Sequence, residues 1–120
     1  DMELHNLTDT DNLNVVAFEK ETMDKLGLIP EIAPRYRATY FSHIIGGYAA
    51  GYYSYLWAEV LDTDAFEAFK EHGVFDKNTA DSFRKNILEK GGTEDPMTLY
   101  RGFRGADPSL EPLLKNRGLK

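Results

Sequence analysis

The sequence predicts an all-α chain. Three observations carry that expectation: apolar residues recur at helical spacing, no segment alternates with a period of two, and glycine, proline and capping residues fall at the ends of the periodic segments. From about Asn14 to Leu26, Val15, Phe18, Met23 and Leu26 lie near one helix face, and Gly27 stands where a helix would stop. Leu28 to Arg37 contains Pro30 and Pro34 and reads as an extended connection. A helix over about Arg37 to Ile45 is expected next, ended by Gly46-Gly47. A long helix over about Ala49 to Glu71 follows, with Asp62-Thr63-Asp64 able to cap a fresh start and kink it. Asn78 is the expected N-cap of a helix through Lys90, closed by Gly91-Gly92. Asp95-Pro96 pairs a cap with a proline at the first helical position and opens a helix carrying Met97, Tyr100 and Phe103. A short helix around Leu110 to Lys115 completes the set.

Composition narrows the partners. The 120 residues amount to one domain's worth of chain, or a piece of a larger one, with 42% hydrophobic residues to build a core. Net charge is −6 with no basic run, which makes nucleic acid and anionic membrane poor partners. No apolar run approaches the ~18 residues of a membrane span. The opening Asp1-Met2-Glu3-Leu4-His5 has no targeting signature and reads as the start of an excised fragment. With no cysteine, the chain has no disulfide framework, thiolate metal site or cysteine nucleophile. It fits a reducing compartment such as the cytoplasm, and excludes no other.

One window concentrates chemistry. His43-Ile-Ile-Gly-Gly-Tyr-Ala-Ala-Gly-Tyr-Tyr-Ser-Tyr-Leu-Trp57 holds one histidine, three glycines (Gly46, Gly47, Gly51) and four tyrosines (Tyr48, Tyr52, Tyr53, Tyr55). Glycine frees the backbone to bend and to approach a ligand closely. Histidine and tyrosine bring neutral hydrogen-bond donors. Against this stands core packing, the usual role of an aromatic stripe. Tyr53 and Trp57 share a helical face with Val60 and Leu61, so they are expected in the core. Tyr48 and Tyr55 on one continuous helix would stand roughly 10 Å apart, too far to reach one substrate oxygen together. For both to reach it, Tyr48 must lie on a loop, which Gly46 and Gly47 permit. On residues alone, core packing and function both remain open for these two.

Other chemistry is thinly represented. The three histidines, His5, His43 and His72, form no His-Glu-x-x-His pair, so the chain builds no metal site alone. Glu71-His72 reads as a solvated helix end and His5 as a surface or capping residue. Arg35 and Arg37 flank Tyr36 in an extended segment, where they could meet a peptide carboxylate or form surface ion pairs.

The window from His43 to Trp57 resembles the glycine-rich loop and following helix of the thimet oligopeptidase and peptidyl-dipeptidase family of zinc metallopeptidases. Pro34-Arg-Tyr-Arg37, Asp95-Pro-Met-Thr-Leu-Tyr-Arg101 and Asn116-Arg-Gly-Leu119 resemble the carboxyl-terminal part of its dipeptidyl-carboxypeptidase branch. The likeness covers essentially the whole chain. It implies a large helical ellipsoid split by a deep substrate channel, with zinc held by residues upstream of everything here and activating the attacking water. It also implies that His43, Tyr48 and Tyr55 are substrate-binding and transition-state donors, and that Gly46, Gly47 and Gly51 are hinges of a mobile loop. The His43-to-Tyr48 spacing of five is closer to the oligopeptidase branch, whereas the flanks favour release of carboxyl-terminal dipeptides.

The expectation is therefore a single helical fragment over 1–120, the carboxyl-terminal part of a zinc peptidase's catalytic domain, with a substrate loop over about 43–55. It binds oligopeptide substrate together with the remainder of that domain, and by itself neither holds zinc nor cleaves peptides. The rival is a non-catalytic helical peptide-binding or packing module whose tyrosines are structural. A His-Glu-x-x-His motif in the upstream reading frame distinguishes the two.

Overall fold

The computed structural model describes all 120 residues, as α-helices joined by turns and without a β-strand. The chain divides into two compact units, Asp1–Ser54 and Tyr55–Lys120. The first holds α1 (Met2–His5), α2 (Val15–Lys25) and α3 (Ser42–Ile45). The second is built on α4 (Ser54–His72), α5 (Lys77–Phe83), a π-helical segment over Arg84–Leu88, α6 (Pro96–Arg104) and α7 (Glu111–Asn116).

In the first unit, α2 begins and ends as its sequence dictates. The Asn14 side chain accepts from the Ala17 amide at 3.1 Å, and Gly27 takes the left-handed φ of +68° just past the end. The helix expected from Arg37 shrinks to the four residues of α3. Ahead of it, the Ala38 amide donates to the buried Glu19 carboxylate at 2.8 Å, and Arg37 pairs with the same carboxylate. Ile44 is the buried apolar residue of this unit.

The long helix likewise starts late, at Ser54 rather than Ala49. Residues 46–53 form successive turns: Tyr48 N donates to His43 O at 3.2 Å, Ala49 N to Gly46 O at 3.1 Å and Gly51 N to Tyr48 O at 2.9 Å. Ala50 sits at φ +55°, which a right-handed helix does not allow. The Asp1 carboxylate takes the amides of Ala50 and Tyr52 at 2.8 and 2.9 Å, satisfying donors that the first turn of a helix begun at Ala49 would leave without a backbone partner. Once begun, α4 runs unbroken through Asp62-Thr63-Asp64. Thr63 Oγ1 donates back to Glu59 O at 2.6 Å, and Asp64 turns inward instead of capping.

The second unit's core lies where α4, α5, α6 and α7 supply Val60, Ala68, Thr79, Leu99, Tyr100 and Leu113, all buried. Phe69, Phe83 and Phe103 close a ring triangle with centroids 5.1 to 6.3 Å apart. Burying each large apolar side chain fully stabilises the fold by about 1.5–3 kcal/mol. The expected Asn78 cap is instead Asp76, whose carboxylate accepts from Thr79 N at 2.7 Å. The π-helical turn follows where Asn86 Nδ2 donates to the Ser82 carbonyl at 3.0 Å and Glu89 N reaches back five residues to Arg84 O at 2.9 Å. Gly102 of α6 lets that turn approach: a Cβ there would stand 3.3 Å from Asn86 Oδ1. Asp95 caps α6 through Thr98 N at 2.9 Å with Pro96 at its first position, as the sequence predicts.

Two core assignments fail. Tyr53 is 65% exposed and Trp57 is also exposed, although Val60 is buried. Tyr53 precedes the helix, so it shares no helical face with Val60. The stripe that the unit covers is Val60, Asp64 and Ala68, which leaves the first turn of α4 uncovered.

Candidate functional site

The glycine loop is framed by aromatic rings. Phe41, leading into α3, stacks on Tyr36 with centroids 4.9 Å apart and meets Tyr52 edge-on at 4.6 Å. His43 lies 5.7 Å from Phe41 and 5.6 Å from both Tyr48 and Tyr52, ring to ring. Offset and edge contacts of this kind add about 0.5–1.5 kcal/mol beyond burial and fix ring orientation. His43 and Tyr48 are thereby brought together at the surface, with both rings exposed. Beside them lies a cavity of about 350 Å³, lined by Phe18, Met23, Pro34, Phe41, Ile44 and Tyr52.

Tyr48 belongs to the turns between α3 and α4, and Tyr55 to the first turn of α4. The rise along one continuous helix therefore does not govern this pair. Both phenols are exposed, at 42% and 49%.

The loop's three glycines are not alike: Gly46, closing α3, sits at φ −126°, ψ −133°, outside the regions usual for other residues. None has a left-handed φ, and an added Cβ would meet nothing closer than Ser42 O at 3.6 Å for Gly46, nothing at all for Gly47, and Ala49 O at 3.7 Å for Gly51. The one left-handed residue in the loop is Ala50. Arg37 is engaged with Glu19, and the Arg35 guanidinium stands over the Tyr36 ring at 5.4 Å.

The residues present do not fit a zinc ion. No group of three or more His, Cys, Asp or Glu side chains is placed to hold a metal. His43 is packed among rings, His5 Nδ1 lies 3.0 Å from its own helix's Asp1 carboxylate, and His72 ends α4 in an exposed position.

Sequence reasoning missed the two partners that shape the loop. Asp1 lies 49 and 51 residues from the amides it takes, and Glu19 lies 19 residues from the amide it takes. No local pattern signals such pairings. Phe41 and Tyr36 were legible only as aromatic residues near the window.

A helical chain bearing a histidine–tyrosine cluster on a glycine loop falls, by comparison with known proteins, in the class of peptidases. Residues 1–119 match the model described as Peptidase family M3, and the chain belongs to that family. It is 57% identical over 81 residues to oligopeptidase A of Escherichia coli strain K12, covering 67% of this chain and 12% of that protein. To oligopeptidase A of Haemophilus influenzae it is 43% identical over 121 residues, covering 99% of this chain and 18% of the relative. To dipeptidyl carboxypeptidase of E. coli K12 it is 44% identical over 114 residues, covering 94% and 16%. The chain thus spans less than a fifth of the length of these relatives, and no helix in it is long and apolar enough to cross a membrane.

Proposed function

We propose that this chain is the carboxyl-terminal, substrate-binding part of a zinc metallopeptidase's catalytic domain that hydrolyses oligopeptides and releases carboxyl-terminal dipeptides. The observation that carries the reading is the placement of Tyr48 on a turn-built loop against His43, 5.6 Å ring to ring, rather than on the helix of Tyr55. Phenol and imidazole N–H or O–H groups would donate to the substrate and to the scissile carbonyl oxygen as negative charge develops there. Gly46, Gly47 and Gly51, where an added Cβ would meet nothing closer than 3.6 Å, suit a loop that closes over bound peptide and excludes water. The remainder of the catalytic domain would hold the zinc, so these 120 residues alone would be inactive. The cytoplasm is the proposed compartment, in keeping with a relative named probable cytosolic oligopeptidase A from Arabidopsis thaliana.

For dipeptide release, Arg35 or Arg37 is the proposed contact for the substrate's terminal carboxylate. A second reading, cleavage within the peptide without need of a free carboxylate, is favoured by the Arg37–Glu19 pair, which already occupies that guanidinium. Cleavage of a free-acid peptide and its amidated twin by the complete enzyme, followed by mass spectrometry, tests the two. Loss of cleavage on amidation supports dipeptide release; equal cleavage supports the second reading.

A further inference from the structure

The turn that follows Tyr48 is gripped by one carboxylate. Asp1 Oδ1 accepts the Ala50 amide at 2.8 Å and Asp1 Oδ2 the Tyr52 amide at 2.9 Å, so each oxygen of a single aspartate holds one amide of the loop. Hydrogen bonds to a charged acceptor are roughly twice as strong as neutral ones. The Asp1 side chain is only 14% exposed, and His5 Nδ1 lies 3.0 Å from its Oδ1. These residues, together with His43 and Tyr48, all belong to the first unit.

The backbone records what this grip does. Ala50 sits at φ +55°, a left-handed conformation that its Cβ disfavours. Such a conformation persists only where its surroundings over-determine it. Here the bonds from Asp1 fall on the amide of Ala50 itself and on that of Tyr52, either side of Gly51. Gly51 N in turn donates to Tyr48 O at 2.9 Å, which ties the backbone of Tyr48 to the gripped segment. Before Tyr48 stand Gly46 and Gly47, where an added Cβ would meet nothing closer than 3.6 Å. Tyr48 therefore lies between an open glycine pair and a clamped turn.

We propose that Asp1 is a positioning residue for Tyr48: its carboxylate clamps residues 50–52 in their left-handed turn, so that the Tyr48 phenol is presented beside His43. The proposal rests on the reading of Tyr48 as a donor to the reacting carbonyl. The clamp acts alongside the other contacts of Tyr48 and His43, and sets the backbone from which the phenol projects.

The test is a set of variants in the complete peptidase, assayed where circular dichroism shows each to be folded. Asp1→Ala removes both acceptors and should lower kcat about tenfold with KM nearly unchanged, since a displacement on the order of 1 Å can cost about 10² in rate. Asp1→Asn keeps one acceptor oxygen and should recover part of the loss. Ala50→Gly, which takes a left-handed φ without strain, should also recover part of it when combined with Asp1→Ala. In a Tyr48→Phe background, Asp1→Ala should cost little further. Hydrogen exchange read by mass spectrometry should show protection lost over residues 46–52 in Asp1→Ala and kept in α2. Wild-type kcat in Asp1→Ala, a loss that multiplies with that of Tyr48→Phe, or no recovery from either rescue overturns the positioning role and leaves the donor reading intact. So does exchange that is unchanged over the loop, or that rises in α2 as well. Wild-type kcat in Tyr48→Phe ends both. Should Asp1→Ala not fold, Asp1→Asn is read in the same way.

Discussion

The Tyr100 hydroxyl donates to the carboxylate of Asp64 at 2.5 Å, joining α6 to the middle of α4 inside the second unit. Asp64 is only 4% exposed, and Arg104 Nε lies 3.6 Å from the same oxygen while its fork grips Glu71 at 2.7 and 2.8 Å. A buried carboxylate is tolerated when hydrogen bonds and a cation compensate its lost hydration. Four side chains thus form one network that spans α4 and α6.

Tyr100→Phe should destabilise the protein by about 1–3 kcal/mol, because it leaves the Asp64 carboxylate short of a donor. A pH dependence accompanies this. Burial, and then the hydrogen bond to Asp64, raise the Tyr100 pKa above its ordinary 10.0. Above that ordinary value the unfolded chain loses a proton that the folded one keeps, so stability is full below about pH 10 and declines as pH rises further. Denaturant melts of wild type and Tyr100→Phe at neutral and alkaline pH check both points. The variant should start less stable and lose less over the alkaline range.

That network shows where sequence reading runs out. The α6 cap, the α2 cap and the closing glycines were legible because each is written within a few residues. Asp62-Thr63-Asp64 suggests a cap because a cap is the local use of aspartate. The real partner of Asp64 is 36 residues away, and no periodicity points to it. The same holds for the loop, where His43, Tyr48 and the glycines were visible as a cluster, but the carboxylates of Asp1 and Glu19 that take the amides of Ala38, Ala50 and Tyr52 were not. Trp57 was misassigned for a related reason: helical spacing tells which residues share a face, not whether this chain supplies anything to cover it.

Glycine substitutions in the loop should separate stability from turnover. Gly47 and Gly51 have no left-handed φ, and an added Cβ would meet nothing within 4 Å at Gly47 and only Ala49 O at 3.7 Å and Tyr48 O at 3.8 Å at Gly51. Alanine at either position should therefore leave stability unchanged or raise it by about 0.4–1 kcal/mol through a less flexible unfolded chain. If the loop must change shape during catalysis, kcat should fall nonetheless. Melting temperature and steady-state kinetics on the same two variants give the answer. Unchanged kcat in both would mean that loop closure does not depend on these glycines.

The most direct test of the account is removal of single phenol oxygens in the complete peptidase, with Tyr53 as the control. Tyr55→Phe and Tyr48→Phe each delete a hydroxyl from an exposed ring and leave its volume almost unchanged. If these groups donate to the charge that develops on the scissile carbonyl, each variant should lose about 10²–10³ in kcat with little change in KM, because the bond strengthens only in the transition state. Tyr53→Phe should keep wild-type turnover, and all three should melt within a degree or two of the parent. Wild-type kcat in Tyr55→Phe and Tyr48→Phe would contradict the account and leave a helical module whose tyrosines serve only structure.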